Sequence, residues 1–147
     1  MPFTAPGERV GIIAGLGAKL RECRDSKRRI MDYSELPQFA KYDVGEGFLL
    51  DVKEGDSLEL TVEAALTYAH PEAIPGTISW KKILIVFPRV RSFRWITRKM
   101  HPTVDPDGSI DYGSIDCFIV ERDKSRVSGR WGEIEIVSDP VLVSEIA

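Results

Sequence analysis

From residue 42 onward, apolar and polar residues alternate with a period of two. The stretch "SLELTVEAALTY" (57–68) shows this most cleanly. Leu58, Leu60, Val62, Ala64, Leu66 and Tyr68 alternate with Ser57, Glu59, Thr61, Glu63, Ala65 and Thr67. A helix would scatter the apolar set around its circumference, whereas a strand gathers it on one face. "GFLLDV" (47–52) predicts a second strand with Phe48, Leu50 and Val52 on one face. The intervening "KEGDS" predicts a hairpin turn in which Gly55 takes a positive φ.

In "WKKILIVFPRVRSFRWITRK" (80–99) the run ILIVF predicts a strand buried on both faces. That strand bends or meets an edge at Pro88, which cannot donate to a ladder. "SIDCFIVERD" predicts another strand, followed by a turn over 122–125. "SRVSGRWGEIEIVS" predicts one more, with Gly129 and Gly132 as bulge positions beside Trp131. Trp131 itself is expected to anchor the core or a sheet corner. After the break at Asp139-Pro140, "VLVSEI" closes the chain. No helical crossover separates these strands, so six or seven of them should pair antiparallel. The fold class is mostly β: an antiparallel β-sandwich or a partly open barrel, with an N-terminal helical arm.

The arm rests on "GAKLRECRDSKRRIMDY" (17–33), which reads as a helix of about 14 residues. Leu20, Cys23, Lys27 and Ile30 form a thin stripe along it, and Leu36-Pro37 ends it. Charge also separates arm from body. Residues 1–33 hold seven Lys/Arg and four acids, and the remainder thirteen Lys/Arg and nineteen acids. The expected organisation is an arm over 1–40 and a β domain over 41–147.

The 147-residue chain suffices for one domain with a core. A net charge of −3 gives no overall attraction for nucleic acid. The apolar run "VGIIAGLGA" (10–18) is too short to span a bilayer. Arg9, beside Glu8, is the one basic residue before it, and the basic "KLRECRDSKRR" follows instead, so it does not match a secretion signal. Cys23 and Cys117 make no disulfide framework, and a reducing cytoplasm with two inert thiols is expected.

Candidate chemistry is sparse. "DPDGSIDYGSIDCF" (105–118) places Asp105, Asp107, Asp111 and Asp116 close together in sequence. An EF-hand loop aligned on Gly108 has neutral Thr103 and Ser114 at two ligand positions. Pro106-Asp107-Gly108 therefore reads as a turn, with a non-EF calcium site on the four aspartates as the alternative. Gly11, Gly15 and Gly17 copy the spacing of some dinucleotide-binding turns, but no βαβ unit surrounds them. His70 and His101, each before a proline, show no zinc spacing with the cysteines. Glu133 and Glu135 share a strand face beside Trp131, a pattern more usual for a solvated face than for a glycosidase pair.

The segment 81–99 holds seven Lys/Arg and no acid, with Trp80, Phe87, Phe93 and Trp95 interleaved. Arg89, Arg91, Phe93, Arg94 and Trp95 are the candidate partner-binding residues, because arginine and aromatics dominate interface energy. A solvated strand edge is the competing reading.

"YDVGEGFLLDVKEGDSLELTVE", "ILIVFPRVRSFRW" and "VSGRWGEIEIVSD", spread over 42–139, resemble small uncharacterised bacterial all-β families. Immunity proteins of polymorphic-toxin systems are among these. The resemblance implies a non-enzymatic binding protein and transfers no functional residue. The sequence thus predicts a cytoplasmic protein-binding β domain with a protein partner, no cofactor, no membrane and no nucleic acid. Homo-oligomerisation stays open. The alternatives are a small-molecule, carbohydrate or calcium-binding β module and an enzyme of unknown type.

Overall fold

A computed structural model describes residues 30–146. Eleven strands run in chain order: β1 Met31–Asp32, β2 Tyr42–Lys53, β3 Leu58–Leu66, β4 Trp80–Phe87, β5 Ser92–Arg98, β6 Thr103–Val104, β7 Ile110–Asp111, β8 Ile115–Glu121, β9 Lys124–Gly129, β10 Gly132–Val137 and β11 Leu142–Glu145. Two single-turn 3-10 helices, Tyr33–Glu35 and Pro37–Phe39, follow β1. One sheet has the order β1-β8-β9-β10-β5 and the other β11-β4-β3-β2; β6 and β7 form a separate ribbon. Every pairing is antiparallel.

The inner faces of the two sheets share one core. Leu58, Leu60, Val62, Ile83, Ile85 and Phe87 come from the four-stranded sheet, and Phe118, Val127, Ile134 and Ile136 from the five-stranded one. Phe87 and Phe118 meet across the layers at a ring separation of 6.0 Å. Each such fully buried side chain contributes about 1.5–3 kcal/mol of transfer free energy. The sheets do not close on each other, so the architecture is the sandwich rather than the partly open barrel.

The strand count exceeds the expected six or seven because two long segments each split and because β1, β6 and β7 are added as two-residue strands. Pro88 ends β4, and the chain then crosses to the other sheet as β5. "SRVSGRWGEIEIVS" is a hairpin, β9–β10, in which Gly129 pairs with Gly132. A Cβ on Gly129 would stand 2.1 Å from the Ser114 carbonyl oxygen, so glycine is required there. That close approach lets the fully buried Trp131 donate its indole N–H to the same carbonyl at 3.1 Å. Trp131 is the anchor that its position between two glycines suggested.

Other expectations change in physically traceable ways. β2 does not alternate as Phe48, Leu50 and Val52. Leu49 is the buried residue, and Leu50 is an extra residue between the pairs Leu49–Val62 and Asp51–Thr61. That bulge reverses the facing, so Val52 again turns toward the core. Gly55 is not among the glycines with positive φ. The run ILIVF is not buried on both faces: Ile83, Ile85 and Phe87 are buried, while Leu84 and Val86 lie half-buried on the outer side. β3 matches its pattern from Leu58 to Ala64, but the strand ends at Leu66 and Tyr68 is exposed.

Most of the predicted helical arm lies outside the described residues. Its last part is not helical: Met31–Asp32 pairs with β8, and Asp32 caps the first 3-10 turn in a capping box with Glu35. Tyr33 and Phe39 pack edge-to-face in the core, with Phe118 against both. Residues 30–40 therefore belong structurally to the sandwich. Cys117 is disulfide-bonded rather than an inert thiol. The other cysteine, Cys23, lies outside the described residues. Among the described residues no helix is long and apolar enough to cross a membrane.

Candidate functional site

The five predicted contact residues do not form one surface. Arg91, on the β4–β5 link, donates at 2.9 Å to Asp139 and at 2.9 Å to Asp123, and at 3.2 Å to the Ser138 carbonyl. Those two carboxylates push the guanidinium further above its ordinary pKa. Arg89 pairs with the same Asp139 at 3.2 Å. Arg94 reaches Glu135 at 3.0 Å on the outer side of the five-stranded sheet. Phe93 and Trp95 face the other way and pack half-buried against the core, Trp95 edge-to-face on Trp131 at 6.1 Å. Arg89, Arg91 and Arg94 are thus met by acids on β10 and on turns distant in the chain. β5 is an edge strand, as the competing reading held.

The aspartate loop is a hairpin tip. The Gly108 N–H donates to the Asp105 carbonyl at 2.9 Å, and Gly108 has φ 88°. Asp107 Oδ1 accepts from the Ser109 hydroxyl and N–H, which holds its carboxyl below the usual range. Asp111 caps the Gly113 N–H at 2.8 Å, and Asp116 accepts from Ser114 at 2.8 Å. Among the described residues these four carboxylates form no group of three close enough to share a cation. Glu133 and Glu135 are engaged by Arg126 and Arg94, and His101 is exposed.

One titratable cluster is invisible in the sequence because its members are spread from residue 42 to residue 145. Glu145 on β11 accepts from the Tyr42 hydroxyl at 2.6 Å and lies 2.6 Å from His70 Nε2. Lys81 stands 3.1 Å from Glu72 and 4.0 Å from Glu145. The Tyr42 and His70 bonds hold the Glu145 carboxyl below its ordinary pKa. Burial first, and Glu145 second, push Tyr42 up to about 12.

Ligand atoms of His70, Glu72 and Glu145 lie within 4.8 Å of one another. The ring does not suit a metal. The Glu72 N–H donates to His70 Nδ1 at 3.0 Å, so Nε2 carries the ring proton and gives it to Glu145. Neither nitrogen keeps a lone pair for a cation or for proton abstraction, and the Lys81 ammonium already stands beside both carboxylates. The cluster is a latch that pins the C-terminal strand to the β3–β4 loop and to β2.

What stands exposed is apolar. Four large hydrophobic residues lie on the outer side of the four-stranded sheet or continue it: Phe48, Trp80, Leu142 and Ile146. Tyr68, Ile74 and Ile78 protrude from the adjoining β3–β4 loop. Phe48 is 37% and Trp80 41% exposed, and their rings lie 5.9 Å apart at 37°. Ala65, which pairs with Trp80 in the β-ladder, is buried. Glu63 stands between Phe48 and Lys82 in the same register, setting charge beside the aromatic pair. The sequence conceals this face. Simple alternation puts Phe48 on the core side, and the bulge reverses it; Trp80 sits in sequence among aromatics that turn inward. The chain matches no protein-family model, no curated protein and no solved structure.

Proposed function

We propose that the chain is a protein-binding β-sandwich domain whose contact surface is the Phe48–Trp80 face, not the arginine-rich strand. The observation that carries this reading is the exposed Phe48–Trp80 ring pair on the outer side of the four-stranded sheet, with exposed Ile74 and Ile78 on the loop that leads into Trp80. Contiguous exposed apolar surface with a charged margin is characteristic of interaction sites, and tryptophan is the most enriched anchor in such contacts. The titratable groups of the fold support binding over catalysis, since the histidine–glutamate pair is consumed in pinning a strand.

The resemblance to bacterial immunity proteins supplies the finer form of the proposal: a toxin domain as partner, bound without chemistry. The expected cytoplasmic setting is not carried forward, because a disulfide at Cys117 favours an oxidising compartment. A photo-crosslinking residue at Lys82 should capture one protein from the source cell. That capture should be lost in Phe48→Ser/Trp80→Ser, while Arg91→Ala/Trp95→Ala, if folded, retains it. Capture indifferent to the Phe48/Trp80 change, or lost only with the β5 change, rejects this surface.

A further inference from the structure

The β6–β7 ribbon joins neither main sheet. Val104 and Ile110 are directly opposed in it and stand 66% and 53% exposed. Opposed residues share a face, so the ribbon carries an uncovered apolar pair. Its tip holds Asp105 and Asp107, both fixed by hydrogen bonds from Ser109. Its base is tied to β2, where the Tyr112 N–H donates to the Leu49 carbonyl and the Leu49 N–H to the Gly113 carbonyl, each at 2.9 Å. A two-stranded ribbon is marginal alone in water, yet this one is anchored at its base and braced at its tip. The result is a fixed projection, apolar on its flank and anionic at its end.

A complementary surface exists on the same chain. β5 is the open edge of the five-stranded sheet. Ile96, at the bulge in its pairing with β10, is 40% exposed. Arg98 and Lys99 follow it. Among the described residues neither is in an ion pair, and the Arg98 guanidinium lies 4.7 Å over the Trp95 ring. This edge is apolar at one point and cationic beside it.

We infer that the ribbon docks on the β5 edge of a second copy of this chain, with Val104 and Ile110 covering Ile96 and Asp105/Asp107 facing Arg98/Lys99. The same contact made reciprocally about a two-fold axis closes a dimer rather than a filament. Its charged part is solvent-accessible, so association weakens as salt rises. The ribbon's base lies beside Phe48, but its apolar pair, Val104 and Ile110, is distinct from the Phe48–Trp80 ring pair.

Sedimentation equilibrium of the whole chain tests this at low and high salt. A concentration-dependent dimer is expected. Asp105→Lys and Lys99→Glu should each weaken it about ten-fold, and the two together should restore it. Val104→Ser/Ile110→Ser leaves the turn's hydrogen bonds in place and should abolish the dimer with the melting temperature nearly unchanged. The inference is overturned by a monomer at every concentration up to about 1 mM. It is equally overturned by a dimer indifferent to the Val104/Ile110 change, by a double reversal no better than either single, or by a dimer lost only in Phe48→Ser/Trp80→Ser.

Discussion

At Glu145 three side chains converge on one carboxylate, and the pH dependence of the fold should show it. Its carboxyl is held below the ordinary value of 4.5, first by the Tyr42 hydroxyl and then by His70. A depressed carboxyl pKa stabilises the native state fully above the unfolded value and loses that contribution as pH falls through the folded one. The unfolding free-energy gap between wild type and Glu145→Gln should therefore be constant near neutrality and shrink below about pH 4. Tyr42 acts on the opposite limb. Its pKa is pushed up to about 12, so its contribution holds below its unfolded pKa of about 10 and fades as pH rises toward the folded value. Denaturant titrations across pH check both limbs, and a gap unchanged down to pH ~2.5 contradicts the latch. None of this is legible along the chain. His70 looks like a loop residue before a proline, and only the pairing of β11 with β4 brings Glu145 to it.

At the scale of elements, periodicity reveals what packing rewards and hides what packing interrupts. Leu58 to Ala64 reads correctly because nothing breaks the ladder there. Phe48 to Val52 reads wrongly because one unpaired residue, Leu50, reverses the facing of Leu49 and Phe48 before it. Composition does not distinguish Leu49 from Leu50. The structure does, and the energetic contrast is measurable. Leu49→Ala removes a fully buried side chain and should cost about 2–5 kcal/mol in urea unfolding. Leu50→Ala, half-exposed at the bulge, should cost less than about 1 kcal/mol. The reverse ranking would restore the simple alternation and return Phe48 to the core side. The turns are hidden for a related reason. A proline and a glycine pair look alike whether they bend one strand or separate two, and only the sheet to which each half belongs decides. Pro88 separates strands of different sheets, whereas Gly129 and Gly132 close a hairpin within one.

For the molecule as a whole, the five-stranded sheet holds a covalent constraint that neither charge nor hydropathy predicts. Cys117 lies opposite Ser128 on the outer side of β8, where Ile119 is also buried despite facing away from the core. Two widely spaced cysteines look unrelated in sequence, because nothing local shows that one of them will meet a partner. The disulfide makes the fold's stability depend on redox conditions. Such a cross-link acts mainly on the unfolded chain, by limiting the conformations it can reach. Reduction should therefore lower the unfolding free energy by about 2–4 kcal/mol while the β-sheet spectrum of the folded state stays the same. Alkylation under native conditions should leave Cys117 unlabelled until a reductant is added, as read by peptide mass mapping. Rapid labelling without reductant would restore the free thiol.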